Sequence, residues 1–374
     1  MTVERYRPAW AEVDLDAIRH NVRTLVAAAD GAEVCAVVKA DGYGHGAVRV
    51  SEAALDAGAV SLAVALVEEG IVLRDAGIEA PILLLSEPPP SAAPEVVARR
   101  FSPTVYTERA IDAFGAAAST DGPALGLHLK IDTGMHRVGA APDAAVALAR
   151  RIADHPLLEL AAVWTHFAVA DEQSRSDVTE AQRHRFDDAC AAIIGAGMPV
   201  PKRHASNAAG TLYVGANYDL VRPGIAVYGY APDPGRPVDL RPVLSLKAEV
   251  SHVKEVDAGE RLSYGLRYEL LVKSVVATVP LGYADGVPRR LGELGAEVLV
   301  GGRRCPIAGT VTMDQILVDC GPTADVAPGD EVVLLGTQGD ERITADDWAT
   351  RLGTISYEIL CGIGPRVPRV TVSA

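Results

Sequence analysis

The chain has 374 residues, 49% hydrophobic and 22% charged, the composition of a globular protein with room for one large domain and a second. A net charge of −14 excludes a nucleic-acid footprint, which needs a basic surface, but not a small anion held by local groups. Met1 to Leu15 lacks the segments of a secretory signal, no apolar run reaches the ~20 residues of a membrane span, and the widely spaced Cys35, Cys190, Cys305, Cys320 and Cys361 read as reduced thiols, so the expected location is cytoplasmic.

Asp14 is placed to cap a helix whose apolar face carries Leu15, Ile18, Val22, Leu25 and Val26. Strand-like runs follow at Val34–Lys39, Val60–Val67, Pro81–Ser86, Pro103–Tyr106, Leu125–Asp132, Leu158–His166, Arg203–Ser206 and Leu220–Tyr228. Helical patterns such as Thr107–Ala118, Ala144–Asp154 and Asp177–Ile194 separate most of them. Eight strands alternating with helices predict an α/β fold, a TIM-type (β/α)8 barrel rather than an open sheet. Proline and glycine crowd at Pro232–Pro237, which sets the expected boundary between a barrel of residues 1–236 and a C-terminal domain of residues 237–374. Beyond it, β-like runs at Leu244–Val256, Ser274–Pro280, Glu297–Val300, Ile316–Asp319, Glu331–Leu335 and Arg366–Val372, with one helical patch near Thr344–Leu352, predict a mainly β domain.

A barrel keeps its chemistry at the C-terminal ends of its strands. Polar residues gather there: Lys39 after the first run, Lys130 and Asp132 at the fifth, His166 at the sixth, Ser206 and Asn207 at the seventh, and Arg222 in the eighth. Lys39 follows the apolar Cys35-Ala36-Val37-Val38. It either snorkels to solvent or is held as an amine able to form a Schiff base with a carbonyl, that of pyridoxal phosphate included. The turn after it, Ala40 to Gly46, does not match the dinucleotide pattern G-x-G-x-x-G. Its glycines allow close backbone approach, and Tyr43 offers a hydroxyl. Asn207-Ala208-Ala209-Gly210 can open a helix whose first N–H groups bind an anion, and Gly224 clears space beside the backbone.

The segments VKADGYGHG (Val38–Gly46), LHLKIDTGMHRVG (Leu127–Gly139), WTHFA (Trp164–Ala168), HASNAAG (His204–Gly210), DLVRPGIAVYGY (Asp219–Tyr230), LSYGLRY (Leu262–Tyr268), LGYADGVPR (Leu281–Arg289), GTVTMDQ (Gly309–Gln315) and RVPRV (Arg366–Val370) resemble those of alanine racemases, fold-type III pyridoxal-phosphate enzymes, in the family's order and over nearly the whole chain. The resemblance implies a barrel followed by a β domain, and pyridoxal 5'-phosphate carried on Lys39. It implies a two-base racemisation of L- and D-alanine by Lys39 and Tyr264 on opposite faces, for D-alanine in peptidoglycan. Tyr264 reaches the site from the other subunit of a homodimer in this family. Arg222 is implied to face the pyridine nitrogen, and His166 to lie beside the ring. Tyr43, Ser206, Gly224, Ile225 and Tyr357 are the implied phosphate ligands. Arg137, Met313 and Asp314 are implied to hold the substrate, Tyr283 to line the entrance, and Lys130 to occupy a position often carbamylated. No metal, nucleic acid or membrane is implied. Thr312 stands where the family often has cysteine, which leaves a backbone contact from Met313 intact. The alternatives are a racemase of serine or lysine on the same fold, a basic-amino-acid decarboxylase, and a non-catalytic pyridoxal-phosphate-binding protein.

Overall fold

The computed structural model describes residues 6–120 and 122–372. The chain forms two compact units, Ala17–Gly42 with Gly46–Arg241, and Met1–Asp16 with Tyr43–His45 and Pro242–Ala374.

The first unit is a nearly closed barrel of eight parallel strands: Glu33–Val37, Ser61–Val64, Ile82–Leu84, Ser102–Val105, Leu125–Lys130, Leu158–Trp164, Arg203–His204 and Leu220–Val221. The eighth pairs back onto the first, Glu33 opposite Leu220 and Val34 opposite Val221. Between the seventh and eighth, Asp219 N–H donates to Arg203 O (3.0 Å) and Arg222 N–H to Ser206 O (2.9 Å). The strands are almost wholly buried, as parallel strands covered by helices should be.

The strands end earlier than the apolar runs suggest. The run Leu220–Tyr228 is a strand only at Leu220–Val221, because Pro223 and Gly224 break it and Ile225–Tyr228 winds into a 3-10 turn. At the other end of the chain, Asp14 caps the Leu15–Ala28 helix by accepting the Asp16 N–H (2.8 Å). Ile18, Val22 and Leu25 face inward as expected, whereas Val26 is exposed.

The second unit is mainly β. A seven-stranded sheet runs in the order Arg303–Pro306, Glu297–Val300, Glu331–Gln338, Leu244–Glu249, Ala9–Asp14, Arg369–Val372, and Glu341–Ile343 adds to Glu331–Gln338. A three-stranded sheet joins His252–Val256, Ser274–Val279 and Ile316–Asp319. The single run Leu244–Val256 is therefore two strands in different sheets. Thr344 caps the Ala345–Leu352 helix through Asp347 N–H (3.2 Å), and a helix at Ser356–Gly362 that the sequence reading did not foresee follows it. No helix among the described residues is long and apolar enough to cross a membrane.

Gly282 marks a close approach between two loops of this unit. A Cβ there would lie 2.3 Å from Thr312 O and 2.4 Å from Met313 O. The two segments are tied by Tyr283 N–H to Thr312 O (2.9 Å) and Ala284 N–H to Met313 O (3.0 Å). Gly282→Ala is expected to lower unfolding stability by about 1–3 kcal/mol, the usual cost of overpacking, measured as a reduced denaturation midpoint.

Candidate active site

The turn after the first barrel strand explains the glycines that follow Lys39. Ala40, Asp41, Gly42, Tyr43 and Gly44 all have positive φ, so Lys39–Gly44 is a left-handed helical turn, disfavoured by roughly 1–2 kcal/mol at each non-glycine residue. Side chains hold it in place. Glu69 accepts the Ala40 N–H (2.6 Å) through one oxygen and the Ala65 and Leu66 N–H groups through the other (2.8 and 3.1 Å). Asp41 caps the Ala47–Asp56 helix by accepting the Ala47 N–H (2.8 Å). At Gly44 any Cβ would meet Leu360 O at 2.6 Å, so glycine is required for the close approach as well as for the backbone. Tyr43 is buried with its ring 6.1 Å from that of Tyr357, and burial raises its phenol well above the ordinary value. Strain concentrated beside a candidate catalytic residue is the pattern of a functional site.

Arg222 is 2% exposed and pairs with no carboxylate among the described residues. Its terminal nitrogens donate to Thr165 O (2.8 Å), Ala205 O (3.0 Å), His204 Nδ1 (2.6 Å) and, more distantly, His166 Nδ1 (3.5 Å). Its Nε is buried with no partner among the described residues. Burial lowers the guanidinium to about 9, which leaves it a cation at neutral pH. An orphaned buried donor of this kind is rare and marks a candidate binding position.

The histidines around it are held neutral, chiefly by desolvation and then by the charge of Arg222. His166 and His204 fall well below the ordinary imidazole value. His128 falls to about 4 by burial, with Lys202 and then Arg222 adding to the effect. Because His204 Nδ1 accepts from Arg222, its proton sits on Nε2, which donates to His128 Nδ1 (3.2 Å). His204 also stacks on Trp164 with ring centroids 5.4 Å apart, and the other side of this cluster carries cations: Arg222 lies 4.5 Å and Lys130 Nζ 4.2 Å from the Trp164 ring centre.

Lys130 is 4% exposed. Burial first, then Arg222 and Arg137, lower its amine to about 7. Lys39 and Arg137 act on His166 as well, so four cations, Lys39, Lys130, Arg137 and Arg222, converge on one end of a barrel whose chain carries net negative charge. That is a binding field for an anion.

Ser206 is fully buried and its hydroxyl donates to Ala216 O (2.9 Å). Asn207 caps the helical segment after it, accepting the Gly210 N–H (2.9 Å). Gly224 and Ile225 open the 3-10 turn, whose first N–H groups have no partner within it. These residues follow the seventh and eighth strands, where barrels of this type bind phosphate. Orphaned Arg222 Nε, the cation field and these backbone donors together fit pyridoxal phosphate, which carries a ring nitrogen that accepts, a phenolic oxygen and a phosphate.

Within the β unit, three distant segments converge. Tyr264 sits between the strands Arg261–Leu262 and Tyr268–Glu269, on a turn in which Ser263, Gly265 and Leu266 have positive φ. Ser263 donates to Thr310 O (2.6 Å), and Thr310 returns a bond to Tyr264 O (2.9 Å). Tyr264 is 73% exposed, and with Ser263, Gly265, Thr312, Gln315 and Leu317 it lines a groove of about 480 Å³. Tyr283 and Met313 are exposed too, and no acceptor for the Met313 N–H is found among the described residues. Asp314 is oriented by Arg366 (2.8 Å).

Glu69, His128, His204 and Gln182 were not singled out from the sequence. Strand alternation carried a signal for two of them, since His128 precedes Lys130 and His204 precedes Ser206 by two residues and so shares its inward face. Gln182 lies on the Ser176–Gly195 helix, donating to His166 O (3.0 Å) and accepting the Ala168 N–H (2.9 Å), a tertiary role with no local pattern.

Comparison with known proteins agrees with this geometry. Residues 13–232 match the family model for the alanine racemase N-terminal domain, and residues 243–371 that for the C-terminal domain. An alanine racemase of Symbiobacterium thermophilum is 46% identical over 376 residues, covering 99% of this chain and 98% of that one. The crystal structure of alanine racemase from E. faecalis superposes with a TM-score of 0.92 at 36% identity, covering both chains completely. A histidine racemase from Leuconostoc mesenteroides has the same fold, with a TM-score of 0.90 and 29% identity over 99% of each chain. With both of its units matched in order and relatives of this identity along its whole length, the chain belongs to the alanine racemase family.

Proposed function

We propose that this chain interconverts L-alanine and D-alanine with pyridoxal 5'-phosphate bound covalently to Lys39, acting as a cytoplasmic homodimer that supplies D-alanine for peptidoglycan. The observation that carries the reading is the buried Arg222, whose Nε lacks an acceptor within a ring of cations. The cofactor supplies an electron sink that makes the Cα proton of a bound amino acid removable.

The remaining work falls to the chain. Arg222 Nε would donate to the ring nitrogen and, having no readily lost proton, would leave it unprotonated, limiting the sink and restraining side reactions. His166 would stand near the ring as a neutral group. Tyr43, Ser206, Tyr357 and the backbone of Gly224 and Ile225 would hold the phosphate. Arg137 and the Met313 N–H bind the substrate carboxylate, aided by Asp314, and Tyr283 narrows the entrance.

Inverting a carbon centre needs a proton removed on one face and returned on the other. Lys39 Nζ serves one face and the phenolic oxygen of Tyr264 the other, and each positioned acid–base group contributes on the order of 10²–10⁴ in rate. Tyr264, Met313 and Asp314 are proposed to serve the barrel of the partner subunit. The exposure of Tyr264 and Met313 on the β unit supports this, since large side chains left in solvent suit an interface. A barrel-only binding protein is disfavoured, because the second unit belongs to the family as well. A pocket separates single methylenes by only ~1–3 kcal/mol.

Purified protein loaded with pyridoxal phosphate is expected to abolish the optical activity of L-alanine faster than that of L-serine or L-lysine, and Tyr264→Phe to lower the rate by about 10²–10⁴. Optical rotation measures both. Faster loss with serine or lysine, or full activity in the variant, would contradict the substrate or the two-base reading respectively.

The lowered Lys130 amine has a second consequence. Above about pH 7 it is unprotonated in the folded chain, the form that adds carbon dioxide, whereas unfolded lysine keeps its proton to ~10.4. The unfolded chain thus binds more protons between these values, so this residue's contribution to stability improves as pH rises through 7. We propose a carbamate on Lys130, turning it from a cation that repels Arg137 into an anion that pairs with it. Labelled bicarbonate is expected to give a carbamate carbon resonance that grows above pH 7 and is lost in Lys130→Ala.

A further inference from the structure

Two thiols distant in sequence meet in the β unit. Cys305 lies on Arg303–Pro306, an end strand of the seven-stranded sheet, and Cys320 directly follows Ile316–Asp319, an end strand of the three-stranded sheet. The two edges are joined by an antiparallel bridge between Ile307 and Val318 and by Ala308 N–H donating to Leu317 O (2.7 Å). Two residues outward from that bridge on each chain, antiparallel register sets Cys305 opposite Cys320. The bond at 308 and 317 makes 307 with 318, and hence 305 with 320, non-hydrogen-bonded pairs. Cα atoms of such pairs approach to about 4.5 Å, within the ~4.4–6.8 Å that disulfides span.

The side chains agree with the register. Cys305 and Cys320 are 3% and 5% exposed, and both are present as thiols. Cys320 Sγ lies 3.9 Å from Val318 O, and the two thiols bias one another: proximity to Cys320 lowers the Cys305 thiol, while proximity to Cys305, together with burial, raises that of Cys320. Elsewhere burial is the chief effect, pushing Cys35 up to about 11 and Cys190 up to about 12, and Cys361 is exposed on a helix.

We propose that Cys305 and Cys320 form a modification site at which hydrogen peroxide converts the two thiols into an intramolecular cross-strand disulfide. The Cys305 thiolate attacks the peroxide, forming a sulfur–oxygen bond as the oxygen–oxygen bond breaks and releasing water once a proton is taken up. Cys320 sulfur then displaces the hydroxyl of that sulfenic acid as a second water, so two thiols lose two electrons and two protons to one peroxide. The new bond closes a loop of about 15 residues, a size for which loop entropy predicts substantial stabilisation. That loop carries Thr312, Met313 and Asp314, so the oxidised pair fastens two sheets together at the base of the segment proposed to touch substrate. The disulfide itself stands or falls independently of the racemase reading.

The test exposes the purified full-length chain to hydrogen peroxide, denatures it in an alkylating agent, and maps unreduced peptides by mass. The expected result is a cross-linked peptide containing Cys305 and Cys320, lighter by two hydrogens than its parts, released by dithiothreitol, retained in Cys361→Ser and absent in Cys305→Ser. The oxidised chain is expected to unfold a few degrees above the reduced one. Recovery of both residues individually alkylated after Cys361 has been oxidised, or a cross-link from either to another cysteine, would overturn the proposal. The wild-type peptide map decides the question even where a serine variant fails to fold.

Discussion

A charged side chain buried without a counter-charge is the constraint around which the barrel is arranged. Burying an ion costs several kcal/mol unless charge and hydrogen bonds compensate it. Arg222 receives four acceptors from the chain, two carbonyls and two imidazoles, and no carboxylate. An arginine with an acidic partner would be neutralised and inert toward a ligand. This one keeps its charge and a buried N–H with no partner among the described residues, the group proposed to meet the ring nitrogen. The neutral state of His204, and through it the tautomer of His128, follow from the same demand, because an imidazole that accepts from a guanidinium cannot carry a second proton.

The same demand accounts for the other cations. Lys39, Lys130 and Arg137 raise the local potential further, which no chain would tolerate at a barrel mouth for stability alone. They become reasonable together if a phosphate, a phenolic oxygen and a substrate carboxylate neutralise them. The left-handed turn after Lys39 has a parallel logic. Non-glycine residues there are disfavoured, yet Glu69 and Asp41 each commit a carboxylate to backbone N–H groups to hold it. Two separate costs, buried charge and backbone strain, fall within one motif and its surroundings; the bonds from Glu69 and Asp41 offset the second, and the proposed anionic ligand would offset the first.

Much of this was legible in the sequence. Apolar runs alternating with helical patterns gave the barrel, because strands buried on both faces are continuous in their hydrophobicity. Polar residues at strand ends then gave Lys39, Lys130, His166, Ser206 and Arg222. Strand length was less legible. Leu220–Tyr228 is apolar on both sides of Arg222, and its break is set by Pro223 and by backbone conformation at Gly224, while the split of Leu244–Val256 depends on partner sheets that local pattern does not encode. Glu69 and Gln182 were missed for a different reason: the bond from Ala40 to Glu69, unlike its local bonds to Ala65 and Leu66, and both bonds of Gln182 join groups distant in sequence, where side-chain type carries no signature. The meeting of Cys305 with Cys320 likewise depends on sheet register, and sequence spacing alone argued against any pairing.

The central claim is that Arg222 hydrogen-bonds the cofactor nitrogen without transferring a proton to it. Nitrogen-15 NMR of the protein loaded with ring-labelled pyridoxal phosphate tests it most directly. The account predicts the chemical shift of an unprotonated, hydrogen-bonded pyridine in the wild-type protein, moving toward the free-base value in Arg222→Ala. A shift characteristic of pyridinium in the wild-type protein would contradict it.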